Sequence, residues 1–72
     1  ISAAIENYEK ALKINSNLPS IHLRLGMIYY QFINNTPKAL GYLKEALRLN
    51  PNQQGASGLK SLIVELENKQ PA

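Results

Sequence analysis

Residues 20–33, SIHLRLGMIYYQFI, form the most apolar run of the chain and hold a glycine, Gly26, where a helix ordinarily avoids one. At about 100° per residue, Ile21, Leu25, Ile28, Tyr29 and Phe32 share one helical face, while Leu23, Met27 and Tyr30 lie nearly opposite. Only Ser20, Arg24 and Gln31 supply a polar strip, far narrower than the polar back of an ordinary surface helix. Two apolar stripes require two neighbours. This helix is therefore expected at the centre of the fold, covered on one side by core and on the other by more chain or by a ligand.

Working outward, both flanks carry helix punctuation. Downstream, Asn34, Asn35, Thr36 and Pro37 end the central helix, with Thr36 expected as the next N-cap and Pro37 as the first helical residue. The helix that follows runs to about Leu49, presents Ala39, Leu40, Leu43, Ala46 and Leu47 on one face, and stops at Asn50, Pro51 and Asn52. Upstream, Asn15 to Pro19 separate off a first helix whose inner face is Ala4, Ile5, Tyr8, Ala11 and Leu12. A final helix is expected over 53–69. It starts poorly because of Gly55 and Gly58, then becomes regular at Leu59, Leu62, Ile63 and Leu66. Residues 70–72 read as a frayed tail. A start at Ile1 rather than methionine, directly in a helical pattern, reads as a start inside a longer protein.

The first and third helices are the same pattern 35 residues apart: Ala4 with Ala39, Ile5 with Leu40, Tyr8 with Leu43, Ala11 with Ala46, Leu12 with Leu47, Asn15 with Asn50. A shift of 34 likewise carries Leu25, Ile28, Tyr29 and Phe32 onto Leu59, Leu62, Ile63 and Leu66. The chain is an internal repeat of helix pairs.

A helix pair recurring at this interval resembles the tetratricopeptide repeat, whose units are antiparallel helix hairpins of about 34 residues. The Leu-Gly pair and following aromatic of that family's first helix correspond to Leu25, Gly26 and Tyr29, and the alanine, bulky residue, alanine pattern of its second helix to Ala39, Leu43 and Ala46. Pro51 stands at the closing proline, and Ala4, Tyr8 and Ala11 repeat the second-helix pattern. The small residues let helix backbones approach closely, which outweighs the helix-propensity cost of glycine. Three departures stand out. His22 occupies the tryptophan-type position, the loop between the paired helices is longer by one residue, and Lys60 stands where Gly26 would recur. The resemblance implies an all-α fold of stacked antiparallel hairpins in a right-handed superhelix, with about four helices. It further implies a single module over 1–72: the second helix of a partial repeat at 2–15, a complete repeat at 18–51, and a capping helix at 53–69.

The chemistry-bearing residues are few. There is no cysteine and no aspartate, and His22 is the one histidine, so a metal centre or catalytic triad has too few members. His22 is expected at a helix interface, and no cofactor is implied. The eight basic residues give a net charge of +3 but are scattered, so nucleic acid is not the expected partner. No apolar run approaches the roughly 20 residues that span a bilayer. The compartment is left open by the sequence. What remains is the second stripe, Leu23, Met27 and Tyr30, flanked by Arg24 and Gln31. In the resembled family this side lines the concave groove that takes peptides. Members that clamp a terminal carboxylate use Lys, Asn and Arg there, a set that Leu23 and Met27 do not fit. An apolar groove with a pliable methionine suits an amphipathic helix or hydrophobic segment of another protein. The alternative is a structural or oligomerisation module whose stripe packs on another copy or on upstream repeats.

Overall fold

A computed structural model describes residues 2–52 and 55–69. It consists of helices α1 (Ser2–Ile14), α2 (Pro19–Ile28), α3 (Thr36–Leu49) and α4 (Ala56–Lys69), with a π-helical turn, Tyr29–Ile33, closing α2. Among the described residues there is no strand. Gln53 and Gln54, which the sequence reading placed at the start of the last helix, and the tail 70–72 lie outside the described residues.

Each helix packs on its neighbour in sequence: α1 on α2, α2 on α3 over the most extensive contact, and α3 on α4. That nearest-neighbour order is the packing logic of a solenoid. The core comprises Leu25 and Tyr29 from the central helix, Ala39, Leu40, Leu43 and Ala46 from α3, and Leu59, Ile63 and Leu66 from α4. By contrast α1 has no buried residue. Its apolar face, Ala4, Ile5, Tyr8, Ala11 and Leu12, is half-covered, and Ile14 is 88% exposed.

Gly26 marks a close approach of α2 to α3. A Cβ at that position would lie 2.6 Å from Leu43 Cδ2 and 3.2 Å from the Leu43 backbone nitrogen, so only hydrogen fits. The helix pair is thus held together by a missing side chain on one helix and a fully buried leucine on the other. On α3's other flank, Lys44 Nζ meets Glu67 of α4 at 2.6 Å, an exposed ion pair that contributes little by itself.

Three expectations are corrected at the tip of the α2–α3 hairpin. The surplus residue relative to the repeat pattern does not lengthen the loop; it is wound into the π turn. There the Tyr29 carbonyl accepts from Asn34 N–H and, at 2.9 Å, from Asn35 N–H. A π turn advances fewer degrees per residue than an α turn, so side chains after it rotate off the stripe they would otherwise follow. Phe32, expected in the core, is accordingly 62% exposed. The N-cap of α3 is Asn35, not Thr36: its Oδ1 accepts from Lys38 N–H at 3.3 Å, and Thr36 becomes the first helical residue. Asparagine caps as well as threonine, and standing one residue earlier it reaches the third amide of the helix.

The chain leaves the π turn through Asn34, whose φ of 59° and ψ of 34° lie in the left-handed region. Asparagine tolerates that region better than other residues with a Cβ, and glycine better still. Asn34→Gly should therefore hold or raise the thermal midpoint, by up to roughly 1 kcal/mol of stability. Asn34→Val should lower it by about 1–2 kcal/mol. Equal midpoints for the two variants would show that the left-handed residue is unimportant.

Candidate functional site

The second apolar stripe of α2 opens onto a cleft of about 460 Å³ between α1 and α2. Ser20, Leu23, Arg24, Met27, Ile28 and Gln31 line it from the central helix, and Tyr8 closes it from α1. The spacing explains the grouping: positions 20, 24, 27, 28 and 31 recur every three or four residues and so stack on one helical face. Leu23 and Met27 are half-buried and rest on the core below, while Arg24 and Gln31 stand exposed at the rim. Of the five residues expected to form a partner groove, Leu23, Arg24, Met27 and Gln31 come together here. Tyr30 is half-buried against the core and does not line the cleft.

Tyr8 and Ile28 enter the cleft although the repeat pattern assigns both to inner faces. For Tyr8 the reason is the incomplete cover of α1, which leaves the ring half-exposed beside α2. Of the other repeat-signature residues, Leu25, Gly26, Tyr29, Ala39, Leu43 and Ala46 are buried, Ala4 and Ala11 half-buried, and Pro51 is exposed in the turn after α3.

A second group of polar and aromatic side chains sits where α2 and α3 meet. His22 is 8% exposed, and its Nε2 lies 2.9 Å from the Ser16 carbonyl. A carbonyl can only accept, so Nε2 carries the proton and donates. Nδ1 is buried with no partner among the described residues. Tyr42 lies beside this ring, with centroids 6.0 Å apart, and stacks on Tyr29 at 5.7 Å and 10°. Its hydroxyl donates to Glu9 Oε2 of α1 at 3.2 Å, and Lys38 Nζ lies 5.1 Å from the centre of the Tyr29 ring. His22 therefore serves as a helix spacer with its ring committed to packing. Among the described residues no carboxylate hydrogen-bonds to this ring, the contact by which a general base is oriented, although Glu45 lines the same hollow.

Burial first, and then the negative charge of Glu9, push the Tyr42 phenol above its ordinary value of 10.0. The native state thus holds this proton at a pH where the unfolded chain has begun to lose it. The resulting stabilisation is fully present below pH 10 and is lost as pH rises through the native value. In an absorbance titration of phenolate, Tyr42→Phe should remove a tyrosine that ionises above pH 10, and should lessen the fall of stability over that range. A titration curve that keeps this late component in the variant would contradict the assignment. On the surface, Arg48 donates through Nε (2.8 Å) and Nη2 to Glu45, and these bonds hold the Glu45 carboxyl below its usual range.

Among the described residues no three His, Cys, Asp or Glu side chains are grouped to hold a metal, and no helix is long and apolar enough to cross a membrane. The arrangement offers shape and contact surface. Two comparisons bear on the ancestry of that surface. A family model described as TPR repeat matches residues 1–31, and one described as Tetratricopeptide repeat matches residues 19–53. Neither the curated proteins nor the solved structures hold a significant match to the chain.

Proposed function

Since the chain belongs to the tetratricopeptide repeat family, matched over residues 1–53 by two models, and that family mediates protein–protein interaction through a typically non-catalytic module, we propose that this chain is a protein-interaction scaffold. Its binding surface is the cleft between α1 and α2, and its ligand is an apolar peptide or amphipathic helix of another protein. The observation that carries the reading is the position of Leu23 and Met27. They form a second apolar stripe on a helix that gives Leu25 and Tyr29 of its first stripe to the buried core, and they line the cleft. Burial of such side chains stabilises a complex by about 25 cal/mol per Å² of apolar surface removed from water, before the costs of association are subtracted. Methionine adapts its shape to whatever packs on it.

A second reading is favoured by α1, whose apolar face is half-covered and whose Ile14 is exposed: the stripe packs on another copy or on preceding repeats. Met27→Glu separates the two. For the scaffold, the purified chain sediments as a monomer, and the substitution weakens capture of a leucine-faced, glutamine-flanked helical peptide tenfold or more, about 1.4 kcal/mol, while helix content is retained. A tight dimer that Met27→Glu dissolves would assign the stripe to self-assembly instead.

A further inference from the structure

Arg24 is the one charged side chain among those that line the cleft. Among the described residues it makes no ion pair, and no carboxylate lines the cleft with it. Most other cations are accounted for. Lys44, Arg48 and Lys69 pair with Glu67, Glu45 and Glu65. Lys10 and Lys13 share their hollow with Glu6 and Glu9, and Lys38 sits over the Tyr29 ring. Among the described residues, Arg24 stands on the rim of this apolar cleft with no carboxylate lining it.

Resting on the reading of this cleft as a docking surface, we propose that Arg24 selects the partner by charge: the occupant is an amphipathic helix of another protein that carries a carboxylate side chain beside its apolar anchors. A guanidinium presents a planar fork that matches a carboxylate with two parallel hydrogen bonds. Once a partner covers Leu23 and Met27, water is excluded around the pair and its attraction exceeds that of an open surface pair. A lysine or arginine in the same place on the partner would meet an uncompensated like charge, so the same residue rejects basic helices. The chain's net charge of +3 favours the approach of an acidic segment. Gln31 extends the match. It lies seven residues beyond Arg24, about 10 Å along the helix, so its carboxamide offers a donor to a second polar side chain two turns along the partner. A terminal carboxylate has no part in this recognition; the partner's acid is internal to an apolar-faced helix.

The test uses three peptides of about four helical turns with the same leucine face, flanked by Glu, Gln or Lys. They are titrated into the full chain by fluorescence anisotropy at near-physiological salt, where screening beyond about 8 Å removes long-range attraction. The Glu peptide should bind about tenfold more tightly than the Gln peptide, and the Lys peptide more weakly than either. Arg24→Gln should bring the Glu-to-Gln ratio close to one, and Arg24→Glu should invert the preference in favour of Lys. Lys60→Gln, on the exposed face of α4, changes net charge equally and should leave the ratio as it was. Equal affinity for the Glu and Gln peptides would overturn charge selection while leaving the cleft as the docking surface. So would a Glu preference that survives Arg24→Gln. Failure of all three peptides to bind would overturn the docking reading itself. A concentration-dependent dimer that the Glu peptide cannot dissolve would assign the cleft to a second copy and overturn both.

Discussion

Gly26→Leu should abolish the cooperative thermal transition of this chain. A first side-chain carbon at residue 26 already falls 2.6 Å from Leu43 Cδ2 and 2.7 Å from Leu43 Cγ, closer than carbon atoms approach. Leucine adds three more carbons beyond it. Leu43 cannot swing aside, because it is wholly buried, and its backbone nitrogen stands at 3.2 Å behind it. Relief must come from moving α2 and α3 apart, which uncovers Leu25, Tyr29 and Ala39 together. Overpacking of this kind costs about 1–3 kcal/mol and more where nothing yields. A domain of this size rarely holds more than roughly 3–5 kcal/mol in all. Circular dichroism at room temperature should show most of the helical signal gone. Gly26→Ala is the milder form: alanine gains about 1 kcal/mol of helix propensity, and the same contact opposes it, so a net loss is expected. An unchanged melting temperature for the leucine variant would refute the close approach of the two helices.

Leu43→Ala should be the costliest truncation in the protein. The side chain is among the largest of those fully buried, it faces Gly26, and it sits midway along α3 with core residues on either side. Loss of its carbons to a cavity is worth about 2–5 kcal/mol. Combined with Gly26→Ala it should cost less than the sum of the two single changes, because truncation vacates the space that the new Cβ needs. A coupling of about 0.5–3 kcal/mol is the range for residues in contact. Urea midpoints measured with a stabilising osmolyte, which keeps the weaker variants folded, provide the comparison. Strict additivity would mean that some other contact sets the spacing of the hairpin.

The hairpin was legible in the sequence because its evidence is periodic. Gly26, Ala39 and Ala46 mark close approach, Leu25, Tyr29, Leu40 and Leu43 mark the facing stripes, and the whole pattern recurs at 34 to 35 residues. The π turn was not legible. Side-chain periodicity continues smoothly through Tyr29, Tyr30 and Phe32, and whether a carbonyl accepts from the fourth or fifth residue onward is decided by how the hairpin must close. The shift of the α3 cap from Thr36 to Asn35 has the same origin, since both side chains are competent and the backbone path chooses between them. In the cleft, Leu23 and Met27 could be read as a second stripe from a single helical wheel. That Tyr8 borders them, and that Tyr30 faces elsewhere, depends on the angle at which α1 crosses α2, about which one helix's pattern is silent.

The π turn also bears on how an array of such units keeps its alignment. In a stacked solenoid each hairpin sets the direction of the next, so a surplus residue spliced in mid-unit would propagate as an angular error through all that follows. Here Tyr29–Ile33 works as an expansion joint. The extra length is taken up within about one turn of widened helix, its by-product is an ejected Phe32, and α3 still packs on α2. One-residue insertions and deletions should accordingly be tolerated between Tyr29 and Asn34 and resisted along α3, where no such slack exists.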